Sequence, residues 1–362
     1  MTNFNHTVYV PETSNSFTYI TNGQDRINGK WLGKGTVTFC PRYVRHNLLG
    51  DFSEFEGTLA VGSIEERTLR LGKGLEMRKG RLHVDKNAIG GYAVGGGSAK
   101  SYSHYVGSLT GTNSIQNGTW YVGYDNTDFT FGGTFDESIV CHKWGTGQMT
   151  LSKTQNSLIY IREGSLYCNT TPSTKAVGVN GENATIQLVG CKVNQLNLSN
   201  GATLLLGATG NGRTTQVYGQ GNLLAQGNSR IVFHRNLVGC DRIYMTSGNV
   251  TLKSGTVLVI EDYETASPLK SGDVLYLFTM SSGTITNEGV TIQSNLADGL
   301  YWDTSRLASE GVIVVAGTEG VEPVEAGTDG EEVIYDFSGR RVLNPEEGKM
   351  YIINGKKRLY KE

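Results

Sequence analysis

The residues best suited to chemistry lie between Trp120 and Asp136. Tyr124, Asp125, Asp128 and Asp136 follow closely on Trp120 and Tyr121. Carboxylates held in pairs can bind calcium or act as acid and base, and aromatic rings can stack on sugars. The same GYDNTD run suits a polar turn equally well, because Asp and Asn side chains hydrogen-bond their own backbone. The turn is the plainer reading, so no catalytic residue is assigned. Trp120, Tyr121, Tyr124, Asp125 and Asp128 stand as candidate ligand contacts.

Little else in the chain suggests catalysis. The six histidines, His6, His46, His83, His104, His142 and His234, are scattered, and neither an HExxH motif nor a Ser/His/Asp order occurs. The five cysteines, Cys40, Cys141, Cys168, Cys191 and Cys240, form no CxxC and no zinc spacing. They read as small buried apolar residues. Cys141 and His142 are adjacent, so in a strand they face opposite ways. No metal and no cofactor is expected.

The elements that carry these residues are short and β-like. From Phe131 to Asn169 three alternating runs each follow a glycine: Gly132 to Phe135, Gly145 to Leu151 and Gly164 to Cys168. One such unit cannot bury its apolar face alone, so it must stack on its neighbours. Units of the same kind recur from Gly29 onward, as in GKWLGKGTVTF, GDFSEFEGTLAVG and LRLGKGLEMRKGRLHVD. Beyond Thr170 they continue in ATIQLVG, LNLSNGATLLLG and GTVLVIED. Glycine spacings of about 15 to 25 residues suit coils of about three short strands. Alternate apolar residues, such as Leu204 with Leu206 and Val257 with Val259, are expected to point inward and stack.

Composition supports an all-β chain. Its 362 residues include Gly 49 and Pro 6, with no G-X-Y period. No apolar stripe of helical period persists for three turns. A formal charge of −2 argues against a nucleic-acid partner. There is no apolar run long enough for a transmembrane helix, and MTNFNHTVYV has none of the pattern of a leader peptide, which leaves either a cytoplasmic chain or one whose leader, with any upstream region, lies outside this sequence.

The expected division is as follows. Residues 1–28 form a cap or irregular first rung, 29–266 a parallel β-helix, and 267–318 an antiparallel β cap. Residues 319–332 are an acidic linker with six Asp/Glu, and 333–362 a small β tail with a hairpin turn at Asn354-Gly355. Between Lys86 and Ser108, the clusters Gly90-Gly91 and Gly95-Gly96-Gly97 read as a flexible loop.

Two family resemblances follow from these residues. Phe131 to Asn169 resembles the autotransporter-associated β-strand repeat through Lys143, Gly145, Gly147, Met149, Leu151, Gly164 and Leu166. GDFSEFEGTLAVG and GLYWDTSRLASEGVIVV are similar to segments recurring in that group. The resemblance implies a right-handed parallel β-helix, secreted or attached to the outer surface of a bacterium. His142 and Lys143 beside Trp144 could be a base near a binding platform, but the resemblance gives Lys143 a structural place in the repeat. No large C-terminal translocation barrel is found. The tail resembles the end of the C-terminal sorting domains of type IX secretion in Bacteroidetes, through Tyr335, Asp336, Gly339, Arg340, Val342, Gly348, Tyr351, Gly355 and Lys356. It covers only about 30 residues, and it implies secretion machinery as a partner.

The expected function is a non-enzymatic stalk, spacer or adhesin whose partners are glycans or cell-surface components. The alternatives are the non-catalytic C-terminal part of a larger carbohydrate-active enzyme and a β-helical polysaccharide lyase or hydrolase.

Overall fold

The computed structural model describes residues 3–317 and 334–360, apart from 14–16, 22–24, 43–45, 95–97, 208–213, 264–265, 338–339 and 354–355. Alternating short runs between glycine turns give strands of two to nine residues. Parallel pairing stacks them coil upon coil into a β-helix. The longest sheet holds 13 parallel strands, from Phe17–Thr21 to Ile285–Asn287. Its twelve rung-to-rung steps of about 4.8 Å make a rod about 58 Å long. A seven-stranded sheet flanks the early coils and an eight-stranded sheet the later ones. A four-stranded sheet, Lys192–Val193 to Phe278–Met280, closes the later coils further.

A single coil shows how sequence makes a rung. Thr134–Phe135 lies in the seven-stranded sheet, Val140–Lys143 in the long sheet and Gln148–Leu151 in the eight-stranded sheet. Phe135, Cys141, Met149 and Leu151 point inward and are buried, while His142 and Thr150 face outward. Gly145 turns the corner at a φ of +73°, where a Cβ would also meet the Gly123 carbonyl oxygen of the coil below. Like residues stack in columns, as Met149 on Leu166 and Leu151 on Cys168.

Several boundaries differ from the sequence reading. Of the two readings of residues 1–28, the first rung is the one observed: Asn3 pairs with Arg26, Val8 with Trp31 and Phe17 with Val37, all in parallel, so regular pairing starts ahead of Gly29. The glycine-rich stretch is ordered in part. Ile89–Gly91 is a strand between Leu69–Leu71 and Ser114–Gln116, and Ser103–Thr110 joins the long sheet. Gly90 lies so close to the neighbouring rung that a Cβ would collide with the Gln116 carbonyl oxygen. Glycine there serves close backbone approach, not flexibility. Gly95 to Gly97 lie outside the described residues.

The far end is mixed. Phe278–Met280, Ile285–Asn287 and Thr291–Gln293 still pair in parallel with the coil before them. Val274–Tyr276, Leu300–Asp303 and Val312–Gly317 form the expected antiparallel sheet, with the helix Leu307–Glu310 between the last two. The acidic linker lies outside the described residues. In the tail, Met350–Ile353 and Lys356–Leu359 form a hairpin, and Ile334–Tyr335 pairs with its first strand. Ile334, Tyr351 and Ile353 make a small core separate from the rod.

Leu204 and Leu206 are fully buried, as their alternation requires. The choice of Val257 and Val259 is corrected. Leu258 and Ile260 occupy the inward column, on Ile231 and Phe233. Val259 stacks on Val232 in the opposite column, which is covered but outside the main core. VLVI is apolar on both faces, so alternation alone left its direction open. No helix among the described residues is long and apolar enough to cross a membrane.

Placing an unpaired charge inside the column should be costly. Leu151→Asp and Leu166→Asp are each expected to destabilise by roughly 3–5 kcal/mol in urea unfolding. Thr150→Asp, on the outward side of the same strand, should stay within about 0.5 kcal/mol of wild type. Equal losses in all three would break the assignment of faces.

Candidate functional site

The register of the long sheet brings aromatic residues from four rungs into one outward column. Tyr105 pairs with Tyr121, Tyr121 with His142 and His142 with Tyr160. Their ring centroids are 4.6, 4.8 and 5.2 Å apart and their planes differ by 8°, 10° and 19°. The rung spacing sets this stack, because parallel pairing repeats at nearly the offset-stacking distance of aromatic rings. Arg78 closes one end, its guanidinium 4.1 Å from the Tyr105 centroid and 4.4 Å from that of Tyr124. At the other end the column continues into Gly178, where a Cβ would stand 2.7 Å from Tyr160 Cδ1. Glycine leaves room for the last ring to lean over the backbone. Arg162 lies 5.2 Å from that ring.

A second, shorter column runs alongside. Tyr124 stacks on Trp144 at 6.3 Å and meets Tyr105 at 6.2 Å. The ring faces of the main column are thus largely taken by neighbours. What it offers a ligand is a row of edges and phenol hydroxyls.

The inward neighbours are buried and polar in part. Trp120 pairs with His104 and Cys141, is fully buried, and donates its indole N–H to the Asn117 carbonyl at 3.0 Å. Its place as a ligand contact is therefore corrected: strand alternation turns it into the core, against His104 at 4.3 Å. His104 Nδ1 accepts the Leu75 N–H at 3.2 Å, and burial drives the ring's pKa down to about 3. His142, in the outward stack, is lowered to about 4 by burial and then by Arg162.

Lys143 is also inward and fully buried. Its Nζ donates to the carbonyls of Trp144 and Gly145, each at 2.8 Å, and of Glu163 at 3.3 Å. Burial lowers it to about 8, against the pull of Glu163. The ammonium thus ties the corner of one coil to the corner of the next, and its structural reading agrees with this geometry.

The acidic candidates do not converge. Asp125 Oδ1 accepts the Thr127 N–H at 3.1 Å and hydroxyl at 2.9 Å, the geometry of a polar turn. Asp128 Oδ1 accepts the Gln148 N–H of the next coil at 2.7 Å. It lines a shallow depression of about 370 Å³ with Arg81, Thr110 and Gln148. Asp136 lines a different one, of about 550 Å³, with Glu137, Thr154 and Asn156. Burial, and then Glu137, raises its pKa.

Sequence reasoning missed Arg78, Tyr105 and Tyr160, and weighed His142 and Lys143 beside Trp144 as a base near a binding platform before favouring a structural role. It also missed a cluster near the far end. His234 Nδ1 donates to Asp241 Oδ2 at 2.9 Å, its Nε2 lies 3.5 Å from Glu261 Oε2, and Tyr263 stacks on the ring. Burial would lower the His234 pKa, but the Asp241 hydrogen bond and the two carboxylate charges outweigh it and raise it. Beside this group Arg235 grips Asp262 at 2.8 and 2.5 Å. The two pairs anchor the projecting turn that exposes Leu237 and Val238. Cys40, Cys141, Cys168 and Cys191 are buried and free, and Cys240 is half-buried. No family model matches the chain, and no curated protein matches it.

Two expectations follow from the buried groups. Lys143→Met keeps the apolar stem but strands three carbonyls, and should cost roughly 2–4 kcal/mol in chemical unfolding. A neutral result would remove the ammonium from the rung-to-rung contact. His104 and His142 both have folded values below their ordinary 6.5. The stability from their neutral packing is therefore complete above about pH 6.5 and lost as pH falls towards 4 and 3. The double variant His104→Phe/His142→Tyr should lose less stability than wild type between pH 7 and pH 4. Parallel acid profiles would contradict this.

Proposed function

We propose that the chain is a non-enzymatic β-helical rod displayed on, or released from, a bacterial surface. There it acts as a stalk, spacer or adhesin and contacts glycans along the aromatic column. The observation that carries the reading is the unbroken 13-stranded parallel sheet with its stack of Tyr105, Tyr121, His142 and Tyr160. Continuous rungs give a stiff rod, because each coil is hydrogen-bonded along its length to the next. The location outside the cell, and sorting through the tail, rest on the repeat-like and sorting-domain-like residues of the sequence.

A hydrolase would need two carboxylates facing one substrate. Asp125, Asp128 and Asp136 do not meet in one depression; the carboxylates that do share one, Asp136 with Glu137 and Glu261 with Asp262, are chain neighbours, and Asp262 is held by Arg235. Recognition by edges is more apt. The hydroxyls of Tyr105 and Tyr121 on adjacent rungs, and of Tyr160 two rungs further on past His142, can hydrogen-bond hydroxyls of an extended saccharide, with Arg78 and Arg162 bordering the strip.

The test is binding of the purified chain to an array of plant, host and microbial glycans. A selective ligand is expected, and Tyr121→Phe/Tyr160→Phe, which keeps the stack and removes two hydroxyls, should weaken it by about tenfold. Undiminished binding by that variant would detach recognition from the column. Failure to bind any glycan would remove the glycan part of the proposal and leave the spacer.

A further inference from the structure

His234 is buried in surroundings opposite to those of His104. The His104 ring meets a donor, since its Nδ1 accepts the Leu75 N–H, and a neutral imidazole suits that contact. The partners of His234 are all acceptors. Asp241 Oδ2 lies 2.9 Å from Nδ1, Glu261 Oε2 lies 3.5 Å from Nε2, and the Leu206 carbonyl also accepts from the ring. Among the described residues, no N–H or O–H is donated to either ring nitrogen. A neutral imidazole has one N–H and one lone pair, so here it would turn the lone pair on a carboxylate or a carbonyl. Only the imidazolium, with two N–H groups, fits the site.

The groups around the ring come from several elements. Asp241 is fully buried; its Oδ1 accepts the Thr215 N–H at 2.6 Å, and its Oδ2 accepts the His234 N–H at 2.8 Å as well as the ring. A buried carboxylate needs a countercharge, and the guanidinium of Arg235 is turned to Asp262 instead. Glu261 stands opposite His234 on the neighbouring rung and is exposed, and Tyr263 stacks on the ring at 5.0 Å. Burial pushes the Cys240 thiol up to about 12, and the Arg242 guanidinium lies over Tyr276. What the ring fastens is the turn 235–240. Arg235 and Cys240 bridge at its base, and Asn236 Oδ1 accepts the Val238 and Gly239 N–H groups at its tip. The turn is therefore stiff in itself, and it projects Leu237 and Val238, 68% and 93% exposed.

We propose that His234 is a proton-operated latch: as an imidazolium it ties the turn, through Asp241, to Glu261 of the next rung, and on losing its proton it lets the turn move about the Arg235–Asp262 pair. Without the proton, a lone pair faces one of the acceptors and Asp241 is left buried without a countercharge, so the closed arrangement is weakened at both contacts. The Arg235–Asp262 pair keeps its charges over the same pH range and serves as the hinge. Burial lowers the pKa of His234, but the Asp241 hydrogen bond and the charges of Asp241 and Glu261 outweigh it and hold the group above its ordinary 6.5. The latch is thus fully closed below pH 6.5 and opens as pH rises through the folded value. His104 and His142 act in the opposite sense, since their neutral forms are the packed ones.

The experiment is an NMR titration of the full chain, with the His234 ring signal assigned by its loss in His234→Gln. A midpoint above 6.5 is expected. Hydrogen-exchange protection of the amides of residues 236–241, corrected for the pH dependence of exchange in a free chain, should fall about tenfold between pH 6 and pH 9. Protection in Val257–Asp262 where it pairs with Thr291–Gln293 should hold. Glu261→Gln alters an exposed side chain, and should lower the His234 midpoint with an unchanged circular dichroism spectrum. In a folded His234→Gln the turn should be weakly protected at every pH. A wild-type midpoint below 6.5 would overturn the proposal. So would turn protection that does not change with pH, a Glu261→Gln midpoint equal to that of wild type, or a folded His234→Gln chain that keeps the pH dependence.

Discussion

The structure depends on one constraint, the parallel rung-to-rung ladder with side chains in register. Hydrogen bonds fix each coil about 4.8 Å above the last, so whatever stands at one position meets its counterpart in the next coil. Apolar residues therefore build columns such as Met149 on Leu166 and Ile186 on Leu204. Aromatic residues build the stack from Tyr105 to Tyr160. The same spacing excludes any Cβ where coils turn tightly, which explains Gly145 without appeal to flexibility.

Polar groups inside the rod follow from the same rule. A corner leaves carbonyls without ladder partners, and these must be met by donors from within. Lys143 meets three of them with its ammonium. Gln155 plays a similar part, accepting the Phe135 N–H at 2.7 Å and donating to the Gly133 and Lys153 carbonyls. Buried charge and amide here are the fittings by which one coil is fastened to the next, so the lowered pKa of Lys143 marks structure before chemistry. The dyad of His234 and Asp241 belongs with them, since it holds a projecting turn against the rod.

The stacked column also limits what the surface can recognise. Rings that cover one another's faces cannot serve as flat platforms, and only their edges and hydroxyls remain. Arg78 and the room above Gly178 close the two ends of the column. Recognition along such a strip depends on the rung repeat, and so favours long, repetitive ligands over a single enclosed one.

The sequence by itself determined the all-β class, the three short strands per coil and the glycine corners, because these are local choices of propensity and alternation. It also placed Lys143 in a structural role and made Leu204 and Leu206 core residues. Only the tertiary structure decided which residues share a column, because register is set by pairing between coils of unequal length. Tyr105, Tyr121, His142 and Tyr160 lie at irregular intervals along the chain and meet only once the rungs are aligned. Alternation could not reveal that Trp120 faces inward beside an outward Tyr121, nor that Leu258 and not Val257 enters the core. An aromatic or apolar neighbour on each side makes both directions locally acceptable, and the depth of burial available on each face settles the choice.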